Sequence, residues 1–148
     1  MVDVRKFKKL GMFLYYLLWP LVWFYAPLKT RVRVLLIYKD EVLLVKNWFG
    51  PNIWQLPGGG TKIGESSTAT AAREINEELG IKINLGAIRL LNEIPLTVRS
   101  RGLILRYQYA YVDLQSKPRV VMSSEITDVM WTHLSKLDVP KTISTTLL

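Results

Sequence analysis

The stretch from Gly59 to Ile81, GGTKIGESSTATAAREINEELGI, restricts the fold more than any other part of the chain. Glycines give way to two serines and then to an uninterrupted run of helix formers, so a helix is predicted over Ser67–Leu79. Ser66 or Ser67 can cap its start, and Gly80 is the expected stop. On that helix Glu74, Glu77 and Glu78 are related by i, i+3 and i+4 and share one face. Ala72, Ile75 and Leu79 form a separate apolar stripe suited to packing on a sheet. Like charges at i, i+4 cost a few tenths of a kcal/mol per pair. Arg73, one turn from Glu77, relieves part of this, and a divalent cation relieves more. Clustered carboxylates behind a glycine-rich loop suit a hard, oxygen-loving cation that must also meet phosphate. A solvated glutamate-rich face has the same spacing, so the helix alone leaves both readings open.

The flanking sequence alternates as strands do. RVRVLLIY (31–38) and EVLLVKN (41–47) are read as two strands joined by a tight turn at Lys39-Asp40. Gly50, Pro51 and Asn52 mark a loop, and Trp54–Leu56 a short extended piece. Residues 82–94, 103–114 and 129–134 are read as further strands, and 135–148 as a short helix or loop. Strands on both sides of one amphipathic helix predict a layered α+β or α/β/α domain. With 49% hydrophobic and 22% charged residues the chain is not a disordered tail. It has no cysteine and one histidine, His133, which excludes disulfide scaffolds, thiol catalysis and multi-histidine metal sites. Any metal must be held by oxygen, which selects Mg²⁺, Mn²⁺ or Ca²⁺. His133, inside the last strand pattern, reads as a packed or exposed residue rather than a catalyst. A phosphate-binding P-loop is mimicked by Gly59, Gly64, Glu65 and Ser66, but Glu65 stands where lysine is required and would repel phosphate.

The net charge is +8, yet residues 1–33 carry +6 and residues 34–148 only +2. A nearly neutral body argues against specific nucleic-acid binding. Residues 10–28, LGMFLYYLLWPLVWFYAPL, contain no charge and hold seven of the 16 aromatics. Such a run is long enough for a membrane span, but Pro20 interrupts it and basic residues flank both ends. Three readings stand: a helix docked on the domain or in a homodimer, an interfacial anchor on anionic lipid, and a true span. Residues 1–29 are therefore expected to form a hydrophobic, aromatic-rich segment and 30–148 the folded domain, in a cytoplasmic protein open to membrane association.

Gly59, five residues, Glu65, seven residues and then Arg73-Glu74-Ile75-Asn76-Glu77-Glu78-Leu79-Gly80-Ile81 match the signature of the Nudix hydrolase family at every fixed position. Chance agreement at seven specified identities is on the order of one in a hundred million per starting position. Trp54-Gln55-Leu56-Pro57-Gly58-Gly59 also resembles the family's lead-in, and the resemblance spans about residues 31–135. It implies a mixed sheet between helices, an α/β/α sandwich. It also implies hydrolysis of a nucleoside diphosphate linked to another moiety, with Mg²⁺ or Mn²⁺ as cofactor and a small nucleotide-type molecule as substrate. Glu77 and Glu78 are then the metal ligands, with the Gly58 carbonyl and Glu74 completing the shell, and Glu74 is also a candidate base. Glu125, on the loop before the last strand, is a candidate catalytic carboxylate from outside the box, with Glu93 as its rival. Arg73 is expected to orient the glutamates and to stand near substrate; Glu65, to approach the metal or the helix N-terminus. Arg101, with Arg99 and Arg106, is a candidate phosphate contact, and Trp54 a candidate base-stacking residue beside Trp48 and Phe49. Two alternatives remain open: a nucleotide-binding or regulatory module of the same fold without turnover, and a basic RNA-processing member.

Overall fold

A computed structural model describes residues 8–18, 20–21, 30–100 and 103–137. Its centre is a mixed sheet. Strands β1 (Thr30–Tyr38) and β2 (Glu41–Asn47) form a hairpin whose two-residue turn has Lys39 at φ 56°, in the left-handed region. β1 also pairs in parallel with β5 (Leu103–Asp113), and β2 pairs antiparallel with β6 (Ile126–His133). The two short strands β3 (Arg89–Leu90) and β4 (Leu96–Ser100) both lie antiparallel to β5. A central strand is covered on both faces, which is why β1 changes from alternating RVRV to the continuous LLI. Val32, Val34 and Leu36 point to one side, Leu35 and Ile37 to the other.

After α1 (Lys8–Leu17), which precedes the sheet, the main helix is α2 (Ser67–Leu79). The Ser66 hydroxyl caps α2 by accepting from Ala69 N at 3.2 Å, and Gly80 ends it at φ 67°. Ala71, Ile75 and Leu79 are fully buried against Val32, Val34, Leu36, Leu43 and Val45, so the apolar stripe is centred on Ala71, with Ala72 only partly buried.

Three expectations change. The continuous strand over 82–94 is replaced by a 3₁₀ turn at Leu85–Ala87 and the two-residue β3. Asn92 explains the break: its side chain accepts from Tyr109 N at 2.7 Å and donates to Tyr107 O at 3.3 Å, occupying ladder positions that backbone would otherwise fill. Pairing resumes with β4, a strand the alternation did not announce. β6 begins three residues earlier than expected, at Ile126. The second helical layer of an α/β/α sandwich is not present among the described residues. The sheet face opposite α2 is covered only in part, by Leu56, Leu91, Leu134 and Leu137 around Leu35, Ile37 and Val42. Of the uncharged run, residues 19 and 22–28 lie outside the described residues. Among the described residues no helix is long and apolar enough to cross a membrane.

Candidate active site

The glycine loop reaches the start of β1 through Val32 N to Gly59 O (2.8 Å) and Thr61 N to Thr30 O (3.0 Å). Gly58 has φ 126°, and a Cβ there would fall 2.2 Å from the Val32 carbonyl oxygen. Only glycine fits this combination of left-handed backbone and close approach. The loop thereby lies directly over α2, and the Gly58 N–H donates to Glu78 Oε2 at 2.9 Å.

Glu78 is 4% exposed, so α2 carries a carboxylate into the edge of the core. Burial pushes this carboxyl up to about 7. The nearby Glu74 and Glu125 charges add to the push, against the Gly58 N–H bond and the Arg33 charge. Glu77, in contrast, is half exposed. Its Oε2 accepts from Arg73 at 2.9 Å and its Oε1 lies 3.7 Å from Lys62 Nζ. Although one helix face carries all three glutamates, the structure sends Glu78 inward to the loop and Glu77 outward to cations.

Arg73 is the hub. Its Nε and Nη2 hold Glu65 in a two-pronged pair at 2.7 and 3.0 Å, and Nη2 also donates to Gly60 O at 3.1 Å. Nη1 donates to Glu74 at 2.7 Å and to Glu77 at 2.9 Å. Its five N–H groups are therefore all taken by protein acceptors, leaving none for a phosphate in this arrangement. Glu65 additionally accepts from Lys62 N and from the Thr70 hydroxyl. The Arg73 hydrogen bonds hold its carboxyl down at about 2. Glu65 is thus engaged with the loop backbone, Thr70 and Arg73.

Among the described residues no three carboxylate or histidine side chains come together as a metal-holding group. Arg73 draws Glu65, Glu74 and Glu77 to itself. The donor chemistry nonetheless fits a hard cation. All donors are oxygens, and Glu78 is buried with its charge undercompensated. Glu78 Oε1 and Glu74 Oε2 carry no hydrogen bond among the described residues. The Gly58 carbonyl accepts from Arg33 Nη1 at 2.9 Å and keeps a second lone pair.

Arg33 is a residue the sequence reading missed, because it was counted with the basic N-terminal excess. It is partly buried under the loop, where Nη1 donates to Leu56 O as well as Gly58 O, and Nη2 reaches Gln55 Oε1 at 3.4 Å. Burial pulls its guanidinium below the usual value, with Arg31 acting in the same sense and Tyr107, Glu78 and Tyr109 opposing. The alternation in RVRV was the available signal, since it puts Arg33 on the face away from α2. On that face Arg33 enters a cleft of about 630 Å³ whose walls include Trp54, Tyr107, Tyr109, Met130 and Lys136. Among the described residues no acidic side chain lines it. The structure places Trp54 there, with Lys46 Nζ over its ring at 4.4 Å.

Glu125 is brought toward the helix by its loop: Val121 N donates to Leu79 O (2.8 Å) and Ser123 N to Glu78 O (2.9 Å). With Asn47, Trp48 and Phe49 it lines a second cleft of about 300 Å³. Asn47 Oδ1 is buried without a hydrogen-bond partner among the described residues. The rival Glu93 is exposed, in the β3–β4 break, where its carbonyl accepts from Gln108. His133 pairs with Asp40 on the surface at 2.9 Å. Arg101 and the side chain of Arg99 lie outside what is described.

Comparison with known proteins places the fold. The diphosphoinositol polyphosphate phosphohydrolase 2 of Rattus norvegicus is 46% identical over 50 residues, which are 34% of this chain and 28% of the relative. The chain thus matches less than a third of that protein's length. Among solved structures, a MutT NUDIX hydrolase from Burkholderia pseudomallei superposes with a TM-score of 0.63 at 24% identity, over 80% of this chain and 95% of that one. A bifunctional NMN adenylyltransferase/ADP ribose pyrophosphatase from Francisella tularensis, complexed with AMP and a manganese ion, gives a TM-score of 0.62 at 22% identity, covering 89% of this chain and 41% of that one. Both structural likenesses establish the fold. The NUDIX domain model matches residues 27–146, so the glycine loop, α2 and the sheet that holds them belong to a member of the NUDIX domain family.

Proposed function

We propose that this chain hydrolyses a pyrophosphate bond in a nucleoside diphosphate linked to another moiety. The observation that carries the reading is the buried Glu78 carboxylate, fixed by the Gly58 N–H within a complete box and undercompensated in charge. Glu78, Glu74, Glu77 and the Gly58 carbonyl are the groups to hold Mg²⁺ or Mn²⁺. The cation, when bound, neutralises the diphosphate and lowers the pKa of water. Arg73 is a positioning residue that sets Glu74 and Glu77 from below while Glu65 fixes Arg73 itself. Glu74 Oε2 and the exposed Glu125 are the two carboxylates able to accept a proton from the attacking water. Arg33, between the loop and the larger cleft, is suited to neutralise the phosphate next to the organic moiety. Trp54, Tyr107 and Tyr109 suit that moiety's flat face, and this aromatic cleft with two cations favours a base over a heavily phosphorylated ring. Residues 1–29 lie outside this chemistry, and 30–148 carry it.

A panel of nucleoside triphosphates, ADP-ribose, nucleotide sugars, dinucleoside polyphosphates and diphosphoinositol polyphosphates, assayed with Mg²⁺ and Mn²⁺, tests the reading. Turnover of a nucleotide substrate supports it. Turnover confined to the inositol compounds would overturn the substrate class. Nucleotide binding by calorimetry without turnover would favour a regulatory module, a reading that gains from the way Arg73 occupies Glu74 and Glu77.

A further inference from the structure

Helix α1 crosses the loop that leaves β2, and one residue sets the contact. Gly11 is buried, and a Cβ there would fall 2.3 Å from both the Trp48 ring and the Trp48 carbonyl oxygen. One turn on, the Tyr15 ring meets Phe49 edge-on at a centroid distance of 5.4 Å, and at the start of the helix the Lys8 ammonium donates to the Asn47 carbonyl. Residues 8, 11 and 15 form one side of the helix. The opposite side carries Leu10, Phe13 and Leu17, which are 49%, 63% and 62% exposed, and Leu21 just beyond is 59% exposed. The helix is thus amphipathic in an unusual sense: its inward side is fixed to the domain by a glycine contact, and its outward side is apolar.

We infer that this outward face docks on an anionic lipid bilayer and holds the chain at the membrane surface. This goes beyond the hydrolytic reading and does not depend on it. Charge selects the occupant. Arg5, Lys6 and Lys9 crowd the sequence around the start of α1, and Asp3 is the one acidic residue in the first 33. Basic residues around an apolar helix face are complementary to anionic headgroups. A second copy would bring the same charge excess against itself, which opposes pairing. Among the described residues α1 has 10 residues and no helix is long and apolar enough to cross a membrane, which agrees with attachment along the surface. Because Trp48 N donates to Glu125 O at 2.9 Å, docking through α1 holds the Glu125 cleft close to the lipid.

The test is sedimentation of the full chain with vesicles of phosphatidylcholine mixed with phosphatidylserine, against phosphatidylcholine alone. The wild type pellets with the mixed vesicles, and high salt weakens it. The double substitution Phe13→Glu and Leu17→Glu lowers vesicle affinity about tenfold or more. It leaves the circular dichroism spectrum and hydrolysis of a soluble substrate unchanged, since both side chains are exposed. Lys9→Glu, a second surface change with no packing role, lowers affinity about fivefold or more. Equal pelleting by variants and wild type, or no preference for phosphatidylserine, overturns the proposal. So does a wild type that stays in the supernatant as a dimer which the double substitution makes monomeric.

Discussion

Arg73 and Glu65 show how much of the site is support. A guanidinium that holds three carboxylates lets α2 carry adjacent negative charges before any cation arrives. Glu65 has its carboxyl depressed to about 2 by that pairing, so its contribution to stability is full above the ordinary carboxylate value near 4.5 and is lost as pH falls through 2. Glu65→Gln is therefore expected to melt at a lower temperature than wild type at pH 7, and the gap should shrink as scans are repeated from pH 4.5 downward. Glu78→Gln should behave oppositely in the metal-free protein. An amide oxygen still accepts the Gly58 N–H and no buried charge remains, so folding survives while turnover with Mg²⁺ falls by about 10²–10³ or more. A variant with wild-type turnover, or one that unfolds, would remove Glu78 from the site. The box residues were legible because their spacing is strict. The burial of Glu78 was not, since helical periodicity places it beside Glu74 and cannot see Gly58 descending onto it. Arg33 was hidden for a related reason: its charge was tallied with its neighbours in sequence, while its parity in β1 decides where it lies.

Among the elements, α2 was read to its ends and the β1–β2 hairpin to within one residue, because cap, stop and alternation agree. The region between α2 and β5 was not, because Asn92 substitutes a side chain for backbone pairing, and no periodicity records that. The loop over α2 depends on the backbone of Gly58. Gly58→Ala should cost about 1–3 kcal/mol or more in denaturant unfolding, from positive φ and the contact with Val32 O. The loop before β6 supplies the other test. If Glu125 handles the proton, Glu125→Gln lowers kcat with little change in KM, and Glu93→Gln is nearly silent. Steady-state kinetics giving the reverse ranking would move the role to the β3–β4 break.

At the scale of the whole molecule, a cation that binds the folded site and not the unfolded chain must raise the melting temperature. At a hundredfold excess over Kd the stabilisation is about 2.7 kcal/mol. Differential scanning should show this shift with Mg²⁺ in wild type and lose it in Glu78→Gln, whatever the substrate proves to be. The parallel pairing of β1 with β5 has a different consequence. It aligns Thr30 with Arg106, and everything that names the site, from Gly58 to Gly80, is looped out between those two strands. The hairpin and α2 can begin to form from near neighbours. Closing β1 on β5 must wait for a long loop to find its end, at an entropic cost no local contact repays beforehand. Refolding should accordingly be slow for a chain of this size, with catalytic competence returning only in the last phase. A fragment ending at Ile81 would contain the entire motif and none of the activity.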